Sequence, residues 1–95
     1  MIKDKEVAMV HAADYALEYL NKEPQASAEE IIKKFLRNFE SINIKKEMKI
    51  YSVAAISEIL KLKNTNKGKL KKQLIQMFVN KIPIIVGRID EENGN

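Results

Sequence analysis

Residues 51–80 read YSVAAISEILKLKNTNKGKLKKQLIQMFVN, and their apolar spacing sets the fold class. Ser52 stands where an N-cap would, ahead of a helix beginning at Val53 whose Ile56, Ile59 and Leu60 gather on one face as far as Leu62. Asn64, Thr65 and Asn66 tolerate turn geometry and can cap the next helix. That helix is predicted from about Lys67 to Lys81, with Leu70, Leu74, Met77 and Phe78 on one side and Lys69, Lys72, Gln73, Gln76 and Asn80 on the other.

Working outward, Met9, Ala13, Ala16, Leu17 and Leu20 recur at three- and four-residue spacing within a predicted helix from about Lys3 to Asn21. Its small residues Ala12, Ala13 and Ala16 would let a neighbouring helix approach closely, and Pro24 ends it. Ser27 and Glu30 have the spacing of a capping box, which starts a second helix whose Ile31, Ile32, Phe35, Leu36 and Phe39 form a broad apolar stripe up to Ser41. Residues 41–50 fit either a helical extension or a short strand at Met48–Tyr51, and the reading adopted puts a break before Ser52. On the far side, Pro83 ends the last helix, Ile84–Ile89 reads as a strand, and Asp90–Asn95 frays. The expectation is a mainly α protein: a small bundle of about four helices, with a helix-turn-helix-like pair and a short C-terminal β-strand. Residues 1–90 form one domain, with 1–40 as scaffold helices, 51–82 as a basic helical pair and 91–95 as a polar tail.

Ninety-five residues suffice for one core. The 45% apolar and 32% charged composition is that of a globular chain, with no apolar run of the roughly 20 residues that cross a bilayer. The absence of cysteine removes disulfides, thiolate zinc sites and cysteine nucleophiles, and Met1–Lys5 lacks a signal peptide's apolar stretch. A soluble, cytoplasmic protein without metal or cofactor is expected.

Charge supplies the functional signal. Residues 41–82 hold ten lysines against Glu47 and Glu58, whereas the flanking stretches are each net acidic, so the chain's +4 belongs to one module. Six of those lysines, Lys61, Lys63, Lys67, Lys69, Lys71 and Lys72, fall in twelve residues without a carboxylate. Such a cluster would release counterions from a phosphate backbone. Lysine attracts without direction; Gln73, Gln76 and Asn80 are the groups beside it that could read adenine edges, and arginine, the guanine reader, is missing from this face. Arginine stands only at Arg37 and Arg88, a lysine bias that coding composition also produces, so the weight rests on where the lysines lie.

The stretch Tyr51–Asn80 resembles a helix-turn-helix unit. Residues 52–60 are similar to its supporting helix, residues 61–65 to its turn and residues 66–74 to its recognition helix. Ser57 stands where the family usually has alanine, Lys61 where the turn commonly has glycine, and Leu70 comes about one residue late. With strands at Met48–Tyr51 and Ile84–Arg88 the order would also resemble a winged helix. Val53–Phe78 is similar, too, to the helix-extended-helix of SAP-type modules, with Leu70 and Leu74 four apart in the closing helix. Both resemblances imply nucleic-acid binding.

Catalytic readings are poorer. His11 is the only histidine, and Asp14 and Glu18 share its side of the first helix, an arrangement expected of a surface histidine among solvated acids. No phosphate loop or nucleophile elbow is present. The sequence therefore predicts a non-catalytic protein that binds nucleic acid, double-stranded DNA ahead of RNA, through Lys61, Lys63, Lys67, Lys69, Lys71, Lys72, Gln73, Gln76 and Asn80. The alternative is a protein-interaction or homodimerisation module acting through the alanine-bearing first helix or the Ile84–Val86 segment.

Overall fold

Alanines on the first helix set the spacing of the bundle. In the computed structural model, which describes residues 4–39, 41 and 44–93, α1 (Lys5–Lys22) buries Ala8, Ala12, Ala13 and Ala16 with Met9 and Leu17. α3 (Lys49–Thr65) packs along that small-residue face, and α4 (Lys71–Glu92) packs on both. α2 (Ala28–Arg37) closes one side with buried Ile31 and Phe35. The Phe35 ring meets Tyr15 edge-on at 5.3 Å and Phe39 at 5.9 Å. No strand occurs among the described residues, and no helix there is long and apolar enough to cross a membrane.

Caps explain the first two helix starts. The Asp4 carboxylate accepts from the Val7 amide at 3.0 Å, and the Ser27 hydroxyl accepts from the Glu30 amide at 3.1 Å. Only this half of the expected capping box forms: the Glu30 carboxylate accepts from the Tyr19 hydroxyl at 3.0 Å, tying α2 to α1. That bond pushes the Tyr19 phenol above its ordinary pKa, because ionising it would set two negative charges together. The start expected at Lys3 lies outside the described residues; α1 is described from Lys5.

The break expected before Ser52 is absent. A short 3-10 turn, Lys46–Met48, leads directly into α3 at Lys49, and Met48–Tyr51 is helical. Ser52 is fully buried and donates its hydroxyl to the Met48 carbonyl at 2.9 Å, so it satisfies itself within the helix and caps nothing. α3 lies between the other helices, with Tyr51, Ala55, Ile56, Ile59 and Leu62 buried.

Two corrections concern α4. It begins at Lys71, four residues later than the spacing suggested, and Leu70, expected in the core, is 70% exposed as its N-cap. It then continues through Pro83 to Glu92, so Ile84–Ile89 is helix, not strand, and a wing has no C-terminal strand to use. Pro83 offers no N–H to the Val79 carbonyl, a loss worth about 3 kcal/mol in a helix interior. Burial outweighs it. Ile82, Ile85 and Ile89 continue the stripe of Leu74 and Phe78 at helical spacing, and a strand would turn alternate members of that set to solvent. Pro83 itself is exposed.

The expected frayed tail is also helical as far as Glu92, with Asn93 as C-cap donating to the Ile89 carbonyl at 2.8 Å; Gly94 and Asn95 lie outside the described residues. Asp90 is tied down. It accepts a hydrogen bond from the Tyr51 hydroxyl and pairs with Lys5 at 3.2 Å, joining α4's last turns to the starts of α1 and α3. The Tyr51 hydrogen bond and the Lys5 ammonium hold its carboxyl below the ordinary range, against the opposing effect of burial.

Candidate nucleic-acid interface

The α3–α4 connection is built by side chains that close one helix and open the next. Thr65 donates its hydroxyl to the Lys61 carbonyl at 3.0 Å, and the Asn66 amide donates to the Leu62 carbonyl at 2.9 Å, so the last carbonyls of α3 find partners. The chain then reverses in a turn closed by the Lys69 amide on the Asn66 carbonyl at 3.2 Å. Gly68 occupies its third position at φ +90°, the left-handed conformation that a type II turn requires there. Leu70 comes next in extended conformation, and the Gln73 Oε1 accepts its amide at 2.9 Å.

This path brings the lysines to one end of the bundle. Lys63, Lys67 and Lys69 line a recess of about 210 Å³ with Asn64, Asn66 and Gly68. Lys63 and Lys69 also border an adjoining hollow that reaches Leu17 and Glu18 of α1. Lys61, one turn back on α3, and Lys72, in the first turn of α4, lie at the same end of the bundle without lining the recess, and all five ammonium-bearing side chains are exposed. No carboxylate among the described residues pairs with Lys61, Lys63, Lys67, Lys69 or Lys72.

Lys71 is the exception. It pairs with Asp14 at 2.6 Å and with Glu18, bolting the start of α4 to α1. Hydrogen bonds to these two carboxylates raise its pKa, overcoming a small desolvation effect. Sequence alone puts Lys71 among the phosphate-binding lysines and leaves Asp14 and Glu18 as solvated neighbours of His11; in the fold the two acids meet Lys71 instead. The position of the two acids, four apart on the polar side of α1, is the one signal of the pairing that the sequence carries.

The polar candidates separate from the lysines. Gln73 caps α4, while Gln76 and Asn80 lie farther along its outer face, their side chains 3.5 Å apart. His11 is exposed beside a shallow groove with Asp14, Val10 and Ile75, and no group of three metal-ligating side chains occurs among the described residues.

The electrostatics of this end differ from those of the other helix starts. α1 opens with Asp4 and Glu6, and α2 with Ser27, Glu29 and Glu30. α4 opens with two lysines, no acid and no side-chain cap on its first amides, so ammonium charge adds to the positive end of the helix dipole. Lys71 is offset there by Asp14 and Glu18, whereas Lys72 has no carboxylate partner among the described residues.

No family model, curated protein or solved structure matches the chain.

Proposed function

We propose that this protein is a non-catalytic nucleic-acid-binding domain that grips the phosphate backbone of duplex DNA with the α3–α4 end of its bundle. The observation that carries the reading is the recess lined by Lys63, Lys67 and Lys69 at the α3–α4 end, where Lys61 and Lys72 stand on the adjoining helix turns and none of the five has a pairing carboxylate among the described residues. Each is positioned by a helix end or by the glycine turn, so little backbone ordering remains to oppose binding. The open amides of α4's first turn add donors of the same polarity. Ammonium groups contact phosphates without reading base edges, so the binding is electrostatic and tolerant of sequence. The α3–turn–α4 pair serves as a helix-turn-helix-like mount that presents the turn and the N-terminal end of α4.

The test compares DNA duplex, RNA duplex and heparin by fluorescence anisotropy, with Lys69→Glu/Lys72→Glu as the variant. The expected result is DNA binding that the charge reversal abolishes while the helical circular-dichroism signal stays intact. Unchanged binding by the variant overturns the assignment of this surface, and stronger retention of RNA than of DNA overturns the choice of ligand.

A further inference from the structure

The hollow that adjoins the lysine recess has a different lining from it. It holds about 290 Å³ between the end of α1 and the start of α4, and it is more enclosed than the groove beside His11. That volume stands at the lower limit of the roughly 300–1,000 Å³ of small-molecule sites, room for one ring system and not for a peptide. Leu17 and Leu74, both buried, form its apolar side, and Leu70 completes that side while 70% exposed. The Leu70 amide donates to Gln73 from an extended backbone, so this exposed leucine is held in place by the helix cap. Charge in the lining is one-sided once pairs are removed. Lys71 is matched by Glu18 and Asp14, whereas Lys63 and Lys69 have no carboxylate partner among the described residues. Asn21, exposed in the last turn of α1, is the one uncharged hydrogen-bonding side chain among the described lining residues.

We infer, on the strength of the phosphate grip proposed above, that this hollow takes an unstacked base at the end of a DNA strand whose phosphates lie on the lysines. Lys63 and Lys69 line both the recess and the hollow, so a backbone followed through the first delivers its next base to the second. A ligand matched to this lining joins anionic groups to a flat apolar body with a hydrogen-bonding edge, and a nucleotide has all three. Bases taken out of the stack are held between apolar side chains and read on their exposed edges. The three leucines can do the first and Asn21 the second, its amide being suited to adenine. A base paired inside a duplex is stacked and cannot enter, so the preferred ligand is a duplex that ends in an unpaired nucleotide.

The test is fluorescence anisotropy on three labelled duplexes: one blunt, one ending in an unpaired deoxyadenosine, and one ending in an abasic nucleotide, which adds the same phosphate without a base. The deoxyadenosine form should bind at least about fivefold more tightly than the abasic form, the lower end of what a bound base contributes. Leu70→Ala should bring that ratio close to one. Equal affinity for the deoxyadenosine and abasic forms, or an unchanged ratio in Leu70→Ala, overturns the inference, while binding of the blunt duplex leaves the lysine grip standing. Failure to bind any of the three overturns both. Free adenosine monophosphate that erases the advantage of the unpaired base at micromolar concentration would make the hollow a site for free nucleotides and overturn the assignment to a strand end.

Discussion

Removing two acids should make this protein a better DNA binder. Asp14 and Glu18 pair with Lys71, which leaves five lysines at the α3–α4 end without a carboxylate partner among the described residues. With about 0.9 counterions released per phosphate contact, five contacts give a slope near −4.5 for log affinity against log salt, an affinity loss of roughly 500-fold between 50 and 200 mM. Asp14→Asn/Glu18→Gln frees Lys71 as a sixth contact. The slope should steepen to about −5.4, and affinity at 0.1 M salt should rise roughly eightfold. Lys69→Gln should shift both the other way, to a slope of about −3.6. The assay is anisotropy of a labelled duplex of about two turns across a salt series, with circular dichroism to show that the helices persist. An unchanged slope in the acid-removal variant would refute the reasoning, since Lys71 sits between Leu70 and Lys72 and must share whatever field the cluster presents.

The fold carries three further expected outcomes. Phe78→Ala should cost about 3–5 kcal/mol in urea unfolding because its ring is fully buried, whereas Leu70→Ala, at the exposed N-cap, should stay within about 0.5 kcal/mol; comparable losses would contradict the register of α4. Pro83→Ala restores the donor for the Val79 carbonyl and should stabilise by about 1–3 kcal/mol in thermal melts, and a loss of stability would count against an unbroken α4. Asp90's carboxyl pKa is held down in the folded state, so its contribution to stability is present above the ordinary carboxylate value and fades as pH falls through the lowered one. Tyr51→Phe removes the larger cause of that depression, and urea midpoints measured from about pH 6 down to pH 2 should show a shallower acid limb than the parent; an identical limb would remove Tyr51 from the account.

The legible part of the fold is local. Ser27 marks the start of α2, Pro24 the end of α1, and the spacing of Met9, Ala13, Ala16 and Leu17 the buried side of α1, because caps and helical periodicity are written within a few residues. At Ser52 and Pro83 the same local rules mislead. Each residue type usually marks a helix boundary, yet each sits inside a helix here, Ser52 because its hydroxyl can bond back to Met48 and Pro83 because Ile82, Ile85 and Ile89 need a helix to reach the core together. Ile84–Ile85–Val86 imitates a strand through β-branched composition, and the joint burial of Ile82, Ile85 and Ile89 settles the helical period.

The sequence by itself determined that the chain is helical, that its positive charge is concentrated between Ser41 and Ile82, and that six lysines sit together without an acid. Those are properties of neighbours along the chain. Only the tertiary structure decided which of the six remain unpaired, since Asp14 and Glu18 stand more than fifty residues from Lys71 in sequence and meet it because α1 and α4 pack together. Pairing of charges depends on distance in space, and falls off too steeply with that distance for any linear count to stand in for it.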